Sequence, residues 1–129
     1  MYHTQEEYDQ ALEYFQKCLA IELEQLGPDH PDVAQSYNNI GMVHANKGEY
    51  DQALENYQKS LAIDLKQLGP DHPDVAISYN NMALVYKAKK DLAKAKEYWA
   101  KAYAICLKKL GPNHPNTKLV KGQLDALKE

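Results

Sequence analysis

This chain repeats itself every 42 residues. A nine-residue segment, Leu-Gly-Pro-Asp-His-Pro-Asp-Val-Ala, runs from Leu26 to Ala34 and recurs unchanged from Leu68 to Ala76. A looser copy runs from Leu110 to Thr117. The flanks repeat as well: residues 8–49 and 50–91 agree at 28 of 42 positions. A fixed period of roughly 20 to 50 residues marks stacked supersecondary units, each too small to bury its apolar face alone. Such stacks make extended binding surfaces more readily than reaction centres.

Each repeat resolves into two amphipathic helices. In the first, Tyr8, Ala11, Leu12, Phe15, Cys18, Leu19, Leu23 and Leu26 recur at three- and four-residue steps. The Leu-Gly-Pro that follows supplies a glycine for a left-handed stop and a proline that forbids continuation. Asp29 or His30 can cap the second helix, with Pro31 in its first turn and Asp32 at the positive end of its dipole. Its core face is Val33, Ala34, Tyr37, Ile40, Gly41, Val43 and His44. The pattern predicts an all-α chain with helices over 6–26, 31–47, 50–68, 73–89, 92–110 and 115–128. No segment reads as a strand.

These residues resemble the tetratricopeptide repeat. Its pattern is present as Tyr37, Ile40-Gly41 and His44 followed by Ala53 and Tyr57, then as Tyr79, Met82-Ala83 and Tyr86 followed by Ala95 and Trp99. The long 42-residue form, with its extra helical turn and its Leu-Gly-Pro-Asp-His-Pro connector, is similar to the repeats of kinesin light chains. The resemblance implies a right-handed superhelical solenoid of about six antiparallel helices. It also implies a single domain over 1–129, with partial units at 1–30 and 115–129 and full units at 31–72 and 73–114. It further implies a non-catalytic scaffold that binds a partner's peptide on its concave face, lined by the first helix of each pair.

The Asn pairs Asn38–Asn39 and Asn80–Asn81 are the expected contact points. Asn is a mediocre helix former, so pairs in mid-helix invite an explanation. In kinesin light chains an Asn at the place of Asn39 and Asn81 contacts a bound peptide's backbone. An amide both donates and accepts, so it can read main chain whatever the side chains are. Gln123 aligns as a third rung. Gln35, Met42, Asn46, Ile77, Leu84 and Lys87 are the neighbouring positions, with Met42, Ile77 and Leu84 as an apolar floor.

Charge is unevenly spread. Residues 1–86 carry 4 Lys against 14 acids, and residues 87–129 carry 11 Lys against 4 acids. Unlike ends could attract each other, or the basic end could take an acidic partner. All basic residues are Lys, and the acidic half would repel phosphate, so a nucleic-acid ligand is not expected. No apolar run suits a membrane helix and no signal peptide opens the chain, so a cytoplasmic protein is expected. Cys18 and Cys106 fall at different places of the repeat and read as free thiols.

His30, His72 and His114 are equivalent by repeat, which sets them too far apart to share an ion. No phosphate loop or activated nucleophile is recognisable, so neither metal nor cofactor nor catalysis is expected. Residues 1–7 align with the tail of a first helix the repeat would require. Leu12, Phe15 and Leu19 are therefore expected to form a bare stripe, either because the chain is a piece of a longer array or because a second copy buries it in a homodimer, a domain swap or a head-to-tail contact. At the other end Lys121 and Asp125 replace core residues, and 115–128 reads as a polar capping helix.

Overall fold

The computed structural model describes residues 4–127. The described residues form six helices and no strand: α1 (Gln5–Leu26), α2 (Pro31–Asn46), α3 (Tyr50–Leu68), α4 (Pro73–Ala88), α5 (Leu92–Leu110) and α6 (Pro115–Ala126). Each lies within two residues of its expected bounds where it is described. They fall into two compact units, residues 1–67 and 68–129.

The repeated connector explains where the helices stop and start. Gly27, Gly69 and Gly111 have φ of 87°, 90° and 85°, a region closed to most side chains. Three residues on, the histidine is the cap. The Nδ1 of His30 accepts from the Asp32 N–H at 3.0 Å, that of His72 from the Asp74 N–H at 3.0 Å, and that of His114 from the Asn116 N–H at 3.1 Å. The repeated His is therefore a helix cap built three times, and Asp29 and Asp71 are released for another task. Asp29 pairs with Lys66, and Asp71 pairs with Lys108 at 2.7 Å. Each bridge ties a connector to the last turn of the next long helix. The Lys108 ammonium holds the Asp71 carboxyl below its ordinary range.

In the N-terminal unit, α2 is the centre. Val33, Ala34 and Ile63 are buried, and Leu19, Leu23 and Tyr37 pack against them. Gly41 lets α2 approach α3 so closely that an added Cβ would lie 2.8 Å from the Tyr57 ring. Burial pushes the Tyr57 phenol up to about 12. The buried Ser36 hydroxyl donates to the Glu22 carboxylate. Lys47 closes the unit by reaching Asp9 at 2.6 Å. α3 fully buries six residues, whereas α1 fully buries none.

In the C-terminal unit, α5 is deeply held, with Ala95, Trp99 and Ala102 all at 0% exposure. Cys106 and Val120 stand at the repeat positions of Glu22 and Ser36, and both are buried. An ionic hydrogen bond in one unit is thus matched by two apolar side chains in the other. Losing both polar partners together leaves no orphan, whereas losing one would. Burial raises the Cys106 pKa, which keeps that thiol protonated and unreactive.

Thr117 breaks this tidiness. Its Oγ1 is buried and finds no hydrogen-bond partner among the described residues. Val33 and Val75 hold the same repeat position at 0% exposure. Thr117→Val should therefore stabilise the chain by about 1 kcal/mol, because it removes an unpaired buried hydroxyl at nearly constant volume. Urea titration followed by circular dichroism checks this, and a lower midpoint would contradict it.

Candidate functional site

The outward face of α2 carries the expected amide set. Gln35 Nε2 donates to Asn39 Oδ1 at 3.1 Å, one helical turn apart. Asn38 Nδ2 lies 3.8 Å from the Met42 sulfur. Met42 is 46% exposed and Asn46 is exposed.

This face continues into an open groove between α1 and α2. One recess, about 520 Å³, is lined by Tyr8, Ala11, Tyr14, Phe15, Val43 and Asn46 among others. A second, about 320 Å³, shares Tyr14 and Phe15 and extends to Cys18, Glu22, Asp32, Gln35 and Asn39. Residues from two separate expectations, Gln35, Asn39 and Asn46 for a peptide and Phe15 for self-association, therefore line one groove.

The bare stripe expected on α1 is only partly as expected. Leu12, Phe15 and Leu19 are half-buried, and Leu19 packs on the core of its own unit. The large apolar side chains that α1 leaves in the open are Tyr14 and Ile21, at 65% and 54% exposure, with Leu26 at its end.

In the C-terminal unit the equivalent face of α4 shows Ile77 at 49% and Leu84 at 43% exposure, with Asn81 half-buried between them in helical register. Asn80 turns inward, where its Oδ1 accepts from the Trp99 indole N–H at 2.8 Å. Lys87 is exposed, with its ammonium 6.0 Å from the Trp99 ring. Gln123 is half-buried on α6.

A tyrosine array in this unit has no forecast in the repeat pattern. Tyr86 and Tyr98 stack in parallel at 5.4 Å, and Tyr79 meets Tyr98 at 5.8 Å. Lys101 lies 5.2 Å from the Tyr98 ring, and Lys94 lies 5.7 Å from that of Tyr86. Burial and the neighbouring Tyr86 raise the Tyr98 pKa. The signal for this array was the exchange of Asn56 for Tyr98 between copies, beside Tyr79 and Tyr86 of the repeat pattern.

Among the described residues, no three His, Cys, Asp or Glu side chains converge as a metal site. No described helix is long and apolar enough to cross a membrane.

Comparison with known proteins agrees with this geometry. The tetratricopeptide repeat model matches residues 1–66, 32–108 and 74–124. Among solved structures, a kinesin light chain-type protein of Podosopora anserina with nearly identical TPR-like repeats superposes with a TM-score of 0.83 at 25% identity. The match covers 94% of this chain and 57% of that one. A variant of the same protein gives a TM-score of 0.82 at the same identity and coverage. BtubC (BKLC) from P. vanneervenii gives 0.82 at 21% identity, over 93% of this chain and 47% of that one, which shows the fold alone. The chain thus spans about half the length of the structures it matches. The comparison with curated proteins gives no match. Capped helix pairs, the small-residue approach of Gly41 to Tyr57 and the family match together establish an all-α tetratricopeptide fold: this chain belongs to the tetratricopeptide repeat family, with kinesin light chain-like proteins as its structural neighbours.

Proposed function

We propose that the chain is a non-catalytic adaptor that binds a peptide segment of a partner protein through the outward faces of α2 and α4. The observation that carries this reading is that each face joins exposed apolar side chains to a helix-borne amide. Met42 stands with Gln35 and Asn39 on one, and Ile77 and Leu84 flank Asn81 on the other. Apolar side chains supply contact area and amides hold main chain, which is the usual division of labour in peptide recognition. The family is generally one of protein-interaction scaffolds, which supports the same reading.

The test uses a peptide selected from a display library against the whole chain. Asn39→Ala combined with Asn81→Ala should weaken its binding by about 1–3 kcal/mol in calorimetry, with the melting temperature unchanged. Affinity equal to wild type would end the amide reading.

A second reading is self-association through α1. It draws on the lack of any fully buried residue in that helix. It competes for the α1–α2 groove, and the molar mass in light scattering decides it.

A further inference from the structure

Phe15, Tyr57 and Trp99 occupy one position of the repeat. Tyr57 is 3% exposed and Trp99 is 0% exposed. Tyr57 is covered by a helix that brings a residue without a side chain, Gly41, against its ring. Phe15 is half-exposed, borders both recesses of the α1–α2 groove and stands beside the exposed Tyr14. The chain itself thus shows what shape closes over this position: a helix with a small residue facing the ring. From Asp32 to Asn46 the α2 wall is about 21 Å long, room for about four helical turns.

Charge narrows the occupant. Glu7, Glu22 and Asp32 border the groove and no lysine does. Residues 1–67 hold twelve acids and four lysines. All four lysines already stand against carboxylates: Lys17 on Glu13, Lys47 on Asp9, Lys59 on Glu55 and Lys66 on Asp29.

We propose that the α1–α2 groove takes a cationic amphipathic α-helix of a partner protein, with Ala or Gly set against Phe15. This rests on the adaptor reading and names the partner's chemistry for one part of it. The α6 helix of a second copy does not fit that description. Asp125 stands at the small-residue position and Lys121 at that of the core Tyr. A carboxylate pressed on Phe15 would lose its water without gaining a partner there.

A probe of this chemistry exists within the chain. Residues 73–90 carry Tyr79, Met82, Ala83 and Tyr86 on one face and end in three lysines, Lys87, Lys89 and Lys90. A fluorescein-labelled synthetic peptide of this sequence, titrated with the whole chain, should show saturable anisotropy. Ala83→Glu in the peptide should weaken binding ~10-fold or more, since it fills the small-residue notch with a charge that meets acids. Phe15→Ala in the protein should do the same. Raising NaCl from about 50 to about 300 mM should weaken binding several-fold, as screening shortens the reach of the carboxylates. The peptide variant leaves the protein untouched, so misfolding cannot mimic its effect.

Absence of saturable binding overturns the proposal, as does equal affinity for the Ala83→Glu peptide or for the Phe15→Ala protein. A dimer in light scattering that falls to the 14.7 kDa monomer on Phe15→Glu also overturns it, making a second copy the occupant. A library-selected peptide that depends on Asn39 and Asn81, found while the 73–90 peptide fails to bind, overturns this inference and leaves the adaptor reading standing. Binding of the 73–90 peptide when the library gives no amide-dependent binder supports the groove and rejects the amide faces.

Discussion

Trp99→Ala destabilises the C-terminal unit by about 3–5 kcal/mol, a large part of what holds a domain of this size together. Trp99 is completely buried, and Ala95 and Ala102 on either side of it along α5 are themselves at 0% exposure. Small residues a turn away on the same helix leave no side chain long enough to fill the space an indole vacates, so the cavity persists. The indole N–H also donates to Asn80 at 2.8 Å, and truncation removes that partner. Trp99→Phe keeps most of the volume and should cost about 1–2 kcal/mol, the difference separating packing from the hydrogen bond. Urea denaturation followed by far-ultraviolet circular dichroism measures both, and an unchanged midpoint for Trp99→Ala would contradict the packing described. Trp99 is the only tryptophan, so its fluorescence in the unmodified chain reports on this unit alone.

Gly41→Val is expected to cost about 1–3 kcal/mol through overpacking. A Cβ at this position meets Tyr57 Cε1 at 2.8 Å, Tyr57 Cδ1 at 2.9 Å and the Ala53 carbonyl oxygen at 3.2 Å. The Tyr57 ring is 3% exposed and cannot swing aside, and the carbonyl belongs to the α3 backbone. Replacing Gly within a helix normally gains a few tenths of a kcal/mol when the newcomer is Val. The clash outweighs that gain, so the sign is destabilising. The same titration decides it, and a raised midpoint would show that α2 and α3 have more freedom than their closest contacts suggest. Ala83 holds this position in the other repeat, so the spacing there already accommodates one methyl group.

The helices were legible because their signals are local. A glycine with positive φ, a proline and a capping residue lie within six residues of each other, three times over. Sequence left Asp29 and His30 as rival caps. The structure gives the cap to His30, and Asp29 to Lys66, a partner 37 residues away that no local pattern reveals. Separation in sequence, here 14 residues, also hid the trade of Glu22 and Ser36 for Cys106 and Val120, since a change at either position looks like drift until Ser36 is seen to donate to Glu22. Asn80 and Asn81 looked alike in sequence, adjacent amides on one helix. A residue step of about 100° sends them to different neighbours, and only the position of Trp99 on α5 says which of the two is held inside.

The groove beside α1 was half legible. The repeat placed Phe15 where Tyr57 and Trp99 are covered, but not which side chains of α1 would stand most open. Tyr14 and Ile21 are the open side chains, whereas Leu19 packs on the core of its unit. The tyrosine array of α4 and α5 follows the same logic: each ring had a place in the pattern, and their stacking depended on a single exchange at Tyr98.

The deciding measurement is a nitrogen-15 heteronuclear NMR titration of the whole chain with a library-selected peptide. Binding through the outward helix faces predicts that backbone and side-chain amide shifts concentrate at Gln35, Asn39, Met42, Asn46, Ile77, Asn81 and Leu84. Shifts gathered instead at the connectors around His30 and His72, with the Asn39 and Asn81 side-chain amides unmoved, would contradict it.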